Sequence, residues 1–235
     1  MKILVGIPSI RQDPEFIRSM EDFLPKLQKK YEVKVIEVRN NLIAEARNII
    51  TDFFLESDNE YLLFLDDDHS GHMLEMFEAI LKPLVENKEY ICAMKCYTRV
   101  FPHMPNLMDY NTDKLKNVDP ERIRYKTKGL TSGYAYCNLV GFGMTLIKRG
   151  LFDLIKSPYF VGQDNWKEDN YFCDLIQSVG VRPIGCFDYV LTHNGVDDLN
   201  VEELNEAGLN KMFDGLKQTH PEIDPLQFKE MSIIA

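Results

Sequence analysis

The chain has 235 residues, 45% hydrophobic and 11% aromatic, enough for a substantial core in one domain with a C-terminal extension. A formal net charge of -10 excludes a non-specific hold on nucleic acid or anionic membrane, since both need clustered Lys and Arg. No apolar run approaches roughly 18 residues and MKILVGIPSIRQDP lacks a signal-peptide pattern, so the expectation is a cytoplasmic protein with no membrane span.

KILVGIP (2–8) is an apolar run stopped by Pro, the mark of a strand buried on both faces. Asp13-Pro14-Glu15 then reads as a helix start, and Phe16, Ile17, Met20, Phe23, Leu24 and Leu27 follow at helical spacing. YEVKVIEV (31–38) is a second strand, and Leu42, Ala46, Ile49, Ile50 and Phe53 mark a second helix. YLLFL (61–65) is a third strand, Met73, Met76, Phe77, Ile80, Leu81 and Leu84 a third helix, and EYICAMK (89–95) a fourth strand. This alternation predicts a three-layer α/β sheet with right-handed crossovers.

The rhythm breaks at 97–135, a polar loop of the length usually kept for function, here expected to be a lid. A mixed segment (134–155) follows, then a helix over 169–179 with Phe172, Leu175, Ile176 and Val179 inward. One or two short strands are expected in 181–195, and an amphipathic helix over 200–218. The five cysteines, Cys92, Cys96, Cys137, Cys173 and Cys186, are scattered in apolar surroundings and read as reduced core thiols. Cys92 and Cys96 lie on a strand and lack the second pair a zinc site needs.

YLLFLDDDHSGHM (61–73) carries the chemistry. Asp66, Asp67 and Asp68 fall where a buried strand ends, the edge at which open α/β sheets bind ligands. Adjacent carboxylates repel, and a divalent cation resolves the repulsion; oxygen ligands suit Mg²⁺ or Mn²⁺ shared with phosphates. Residues i and i+2 of an extended chain share a side, so Asp66 and Asp68 address one ligand while Asp67 points away. The bland alternative is a solvated loop, with Asp68 capping the helix that follows. Arg47-Asn48 places a guanidinium near the same edge, suited to phosphate or to a ribose and base edge; its bland reading is a surface pair with Glu45 or Asp52. Glu168-Asp169 open a helix, either as dipole-favoured residues or as a general base. His193 follows a strand, and an imidazole can complete a mixed nitrogen and oxygen metal site.

The order VGIPS (5–9), AEARNI (44–49), FLDDDH (64–69), LVGFGMTLIKRGLF (139–152), WKEDNYFC (166–173) and THNG (192–195) resembles the GT-A glycosyltransferases, in particular the family-2-like nucleotide-sugar enzymes. The resemblance spans residues 3–195. It implies a GT-A three-layer α/β/α sandwich with a mixed, mainly parallel sheet over 1–196, and a helical extension over 197–235. It also implies that Pro8 and Ser9 line the nucleotide base, that Arg47 contacts the nucleotide or its phosphates, and that Asp66 faces the ribose. Asp67 joins this donor-binding set. Asp68, with Asp66 and His193, holds the Mn²⁺ or Mg²⁺ of a DXD motif. Gly141, Phe142 and Gly143 form the floor near sugar and acceptor, and Asp169, beside Glu168, is the base of an inverting transfer.

Two departures stand out. The second strand ends in EVRNN where the family has an Asp-rich turn, leaving Glu37 or Arg39 as the substitute, and the acidic motif is Asp-Asp-Asp-His rather than a plain Asp-x-Asp. The expected partners are a UDP- or GDP-sugar donor and a hydroxyl acceptor, with a homodimer left open. A sugar-phosphate nucleotidyltransferase is the rival enzyme, but the loop PSIRQDPEF lacks the glycines it needs. An inactive nucleotide-sugar or glycan-binding module is the rival outside catalysis. Tyr159, Phe160 and Trp166 are either sugar-stacking or core aromatics.

Overall fold

The computed structural model describes residues 1–10, 12–96, 106–108, 132–162 and 168–194. The expected lid falls largely outside them, and Trp166, the 200–218 helix and the 197–235 extension fall wholly outside. The elements in order are β1 (Lys2–Ser9), α1 (Pro14–Gln28), β2 (Glu32–Arg39), α2 (Ile43–Glu56), β3 (Tyr61–Leu65), β4 (His69–Ser70), α3 (Met73–Glu86) and β5 (Ile91–Cys96). Then come β6 (Leu107–Met108), β7 (Tyr134–Tyr136), β8 (Leu139–Val140), β9 (Met144–Lys148), a 3-10 turn (Arg149–Leu151), α4 (Glu168–Ser178) and β10 (Ile184–His193).

The main sheet has the order β2-β1-β3-β9-β5-β10-β4, with β7 paired to β10. Strands β1, β2, β3, β5 and β10 share one direction, and β9 lies antiparallel between β3 and β5. β4 and β7 run antiparallel to β10. The result is the expected mixed, mainly parallel sheet between two helical layers. Alternation along β1 divides the core: Ile3, Val5 and Ile7 pack with α1 and α3, whereas Leu4 packs with residues of α2 and α4. The same alternation points the remaining position at α2. A Cβ on Gly6 would stand 2.3 Å from Ile50 Cγ2, so glycine there lets α2 seat on the sheet.

The start of α1 forms as its sequence implies: Asp13 caps the helix, accepting from the Glu15 N–H, and Pro14 occupies the first turn. Two expectations need correcting: helix α4 ends at Ser178 and leaves Val179 exposed rather than inward, and α2 is turned differently from its apolar pattern. Helix α2 turns Ala46, Arg47, Ile50, Thr51 and Phe54 inward and leaves Leu42, Ile49 and Phe53 exposed. Its rotation follows Ile50 into the space over Gly6 and Arg47 toward carboxylates at the sheet edge, rather than the apolar count alone. Of the one or two strands expected after α4, the described residues hold one, β10, which is 10 residues long. Its pairing shifts between Cys186 and Leu191, so the body of the strand lies on β5 while its end, Thr192 and His193, pairs with β4. All five cysteines are buried, as expected.

Candidate functional site

The C-terminal ends of the co-directional strands bring Ser9, Arg39, Asp66–Asp68, Cys96 and His193 to one edge of the sheet. The acidic triplet is fixed there by its backbone. The Asp66 N–H donates to the Gly143 carbonyl (3.1 Å), the Asp67 carbonyl accepts from the Asp13 N–H (3.0 Å), and the Asp68 carbonyl accepts from the Asn194 N–H (2.7 Å). Three segments of chain thus hold three successive residues, and each side chain meets different partners.

Asp66 meets Arg47. The guanidinium donates to both Asp66 oxygens (2.8 and 3.1 Å) through one nitrogen and to Glu168 Oε1 through the other. Arg47 is 2% exposed, lies with its guanidinium carbon 4.9 Å from the centre of the Phe142 ring, and belongs to the interior rather than to a surface pair with Glu45 or Asp52. Burial works against its charge, but Asp66 and Glu168 outweigh that and raise its pKa further. Asp169 completes the group. Its Oδ1 accepts from the Asn170 N–H (2.8 Å), and the side chain is half-buried. Burial pushes both the Glu168 and Asp169 carboxyls above their usual range, with Arg47 offsetting only part of the rise.

Asp67, which with Asp68 lies in a turn after β3, accepts from the Ser9 hydroxyl (2.8 Å). Pro8 is buried at the end of β1. Beside it Glu37 accepts from Gln12 (2.8 Å) and Arg39 (2.7 Å), and Arg39 holds its carboxyl below the usual range.

Asp68 meets two imidazoles. Its Oδ2 lies 3.1 Å from His193 Nε2 and its Oδ1 2.7 Å from His69 Nδ1. The antiparallel register of β4 and β10 sets His69 directly across from His193, which stacks the rings with centroids 4.4 Å apart and planes 11° apart. Burial alone would raise the Asp68 carboxyl, yet His193 and then His69 hold it well below the usual range. Asp68 does not cap α3: β4 intervenes, and the cap position is His72.

One ligand atom from each of Asp68, His69 and His193 falls within 4.8 Å of the others. His69 is 5% exposed, and neither ring nitrogen has a hydrogen-bond partner; its contact with Asp68 is close but not aligned for one. A buried imidazole without hydrogen bonds is costly as a purely structural feature and suits a ligand. The donor set therefore fits a divalent ion, and Asp66, engaged by Arg47, stands apart from it.

The remaining expected residues are placed as follows. Gly143 closes on the His69 ring, and a Cβ there would stand 2.7 Å from Nε2. Gly141 closes on Asn106, which bridges β5 and the β8 segment. Phe142 is buried beneath Arg47 among Phe64, Phe160 and Phe172. Tyr159 and Phe160 are core aromatics, and Asn48 holds their backbone, with Oδ1 accepting from both N–H groups. Sequence reasoning gave no role to His69 or Asn106. The only signal for His69 was its place directly after the triplet; Asn106 sat in a segment without periodicity.

No protein-family model matches this chain, and no curated protein does. Among solved structures, the crystal structure of A197 from STIV matches with a TM-score of 0.53 and 21% identity, over 79% of this chain and 81% of that one. At that identity the likeness speaks for the fold, and the α/β/α arrangement described above is GT-A-like.

Proposed function

We propose that the chain is a metal-dependent glycosyltransferase, related in kind to the family-2-like enzymes, that moves a sugar from a UDP- or GDP-sugar to a hydroxyl acceptor with inversion. The observation that carries this reading is the meeting, at one sheet edge, of the Asp68, His69 and His193 group with buried Arg47 and its carboxylates Asp66, Glu168 and Asp169. A nucleotidyltransferase would need a glycine-rich basic loop after β1, and residues 8–16 read PSIRQDPEF.

Each group has a task that its environment supports. Asp68, His69 and His193 would hold a divalent ion, which would supply positive charge beside a leaving diphosphate. Asp169, with its carboxyl raised by burial, takes the acceptor proton as the acceptor oxygen bonds to the anomeric carbon and the bond from that carbon to the diphosphate oxygen breaks. Arg47 holds Glu168 and Asp66 in place. Glu37 and Arg39 at the end of β2, with the Ser9 and Asp67 pair, would read the nucleoside.

A thermal-shift panel of UDP- and GDP-sugars with Mn²⁺ tests the reading. One donor should raise the melting temperature with the logarithm of its concentration over Kd, because a ligand that binds only the folded chain stabilises by RT ln(1 + [L]/Kd). That donor should then hydrolyse slowly with Mn²⁺ and not without it. Stabilisation without hydrolysis would mark a binding module, and no response from any nucleotide sugar would remove the proposal.

A further inference from the structure

Building on the metal-dependent reading above, we infer that the ion's third protein ligand is His69 rather than Asp66, so that two imidazoles and one carboxylate select manganese or a later first-row ion over magnesium. Three independent features of the chain converge on this assignment.

The first is engagement. Asp66 is bonded through both oxygens to Arg47, a cation that the fold supplies and buries. A second cation at those oxygens would have to break an ion pair whose loss leaves Glu168 with the guanidinium alone. His69, by contrast, has both ring nitrogens buried without a hydrogen bond.

The second is aim. Nδ1 of His69 is the nitrogen that faces Asp68, at 2.7 Å from Oδ1, and His193 Nε2 approaches the other carboxylate oxygen at 3.1 Å. Neighbouring ligand atoms around one small divalent ion are about 3 Å apart, given bonds of roughly 2.1 Å at right angles. The carboxylate already stands near that spacing from each imidazole, and the three ligand atoms lie within 4.8 Å of one another.

The third is shape. The His69 ring is held on both faces of its position, by the stacked His193 ring at 4.4 Å and by the bare Cα of Gly143. Any side chain at 143 would collide with the imidazole, with a Cβ 2.7 Å from Nε2, 3.0 Å from Cε1 and 3.1 Å from Cδ2. The β4–β10 register and the glycine together fix the ring where Asp68 can share a ligand with it.

Ligand chemistry then sets the choice of ion. Magnesium prefers an all-oxygen octahedron, whereas imidazole suits manganese and the ions after it. Pulsed EPR of the full chain loaded with Mn²⁺ alone reads the coordinated nitrogens directly. The wild type should show couplings from two imidazoles. His69→Ala should leave one, with Mn²⁺ affinity down about 10-fold or more, since losing even an outer partner of a ligand costs about 10-fold to 100-fold. Asp66→Asn should keep both couplings. Gly143→Ala, which leaves every ligand in the chain, should weaken Mn²⁺ by crowding the ring. Magnesium should displace Mn²⁺ only in large excess. A single imidazole coupling in the wild type overturns the assignment and leaves the metal-dependent reading intact; no bound Mn²⁺ at all overturns both.

Discussion

Asp66 and Asp68 are two residues apart, yet they live under opposite electrostatic arrangements. Asp66 is neutralised from within by Arg47, which also holds Glu168 at the mouth of α4. Among the described residues Asp68 faces two imidazoles, one of them without hydrogen bonds. The first arrangement is complete without a ligand. The second has the composition of a site that an external cation finishes. One acidic run can therefore serve both as part of a permanent buried ion cluster and as part of an exchangeable metal centre, and spacing alone does not tell them apart.

The strongest test of this division acts on the Arg47 side. Asp169→Asn should lower the transfer rate by about 100-fold to 10,000-fold, the usual contribution of a positioned base, while Mn²⁺ binding at Asp68 persists. Measured donor turnover beside Mn²⁺ affinity separates the two effects; a variant that loses metal and activity together would merge the regions. The same carboxyl predicts a pH dependence. Burial raises it, so turnover should climb as pH rises through a value above the ordinary aspartate range near ~3.9, then level off. The stability linked to Asp169 and Glu168 runs the other way. Ionising a raised carboxyl costs the folded chain more than the unfolded one, so that contribution is full below the unfolded pKa and is lost as pH rises through the folded one.

Arg47→Met comes next in size. It leaves Asp66 and Glu168 buried without their cation, and breaking a buried pair from one side costs about 3–5 kcal/mol. Urea unfolding should show that loss, while Mn²⁺ affinity in the still-folded fraction should not fall. Equal damage to both would mean that the guanidinium also props the imidazole pair.

The sequence announced much of this and hid the rest for definite reasons. Strands β1 and β3 are apolar at nearly every position because both faces are covered, and such runs are legible without a partner. Arg47, the triplet, Glu168-Asp169 and His193 stood out because charged or imidazole groups interrupt apolar segments. What stayed hidden depends on pairing between distant segments. Nothing local in MTLIK says that β9 slots antiparallel between β3 and β5. Nothing in DDDHS says that His69 faces a histidine 124 positions later, since a register between β4 and β10 fixes that. The ion-pair partners of Arg47 are likewise long-range, and they decided which face of α2 turns inward.

That last point gives the smallest expected effect and the most local one. Ile49 and Ile50 are neighbours of the same type on α2, and periodicity alone assigned both to the core. The structure leaves Ile49 43% exposed and buries Ile50 fully. Ile50→Ala should therefore cost about 2–5 kcal/mol, because it empties the space between α2 and Gly6. Ile49→Ser should stay within about 0.5 kcal/mol, as surface changes do. If the two losses measured by urea unfolding were alike, α2 would have to sit rotated from the position that brings Arg47 to Asp66 and Glu168. The neutralised side of the triplet would then lose its cation, and the contrast with Asp68 would go with it.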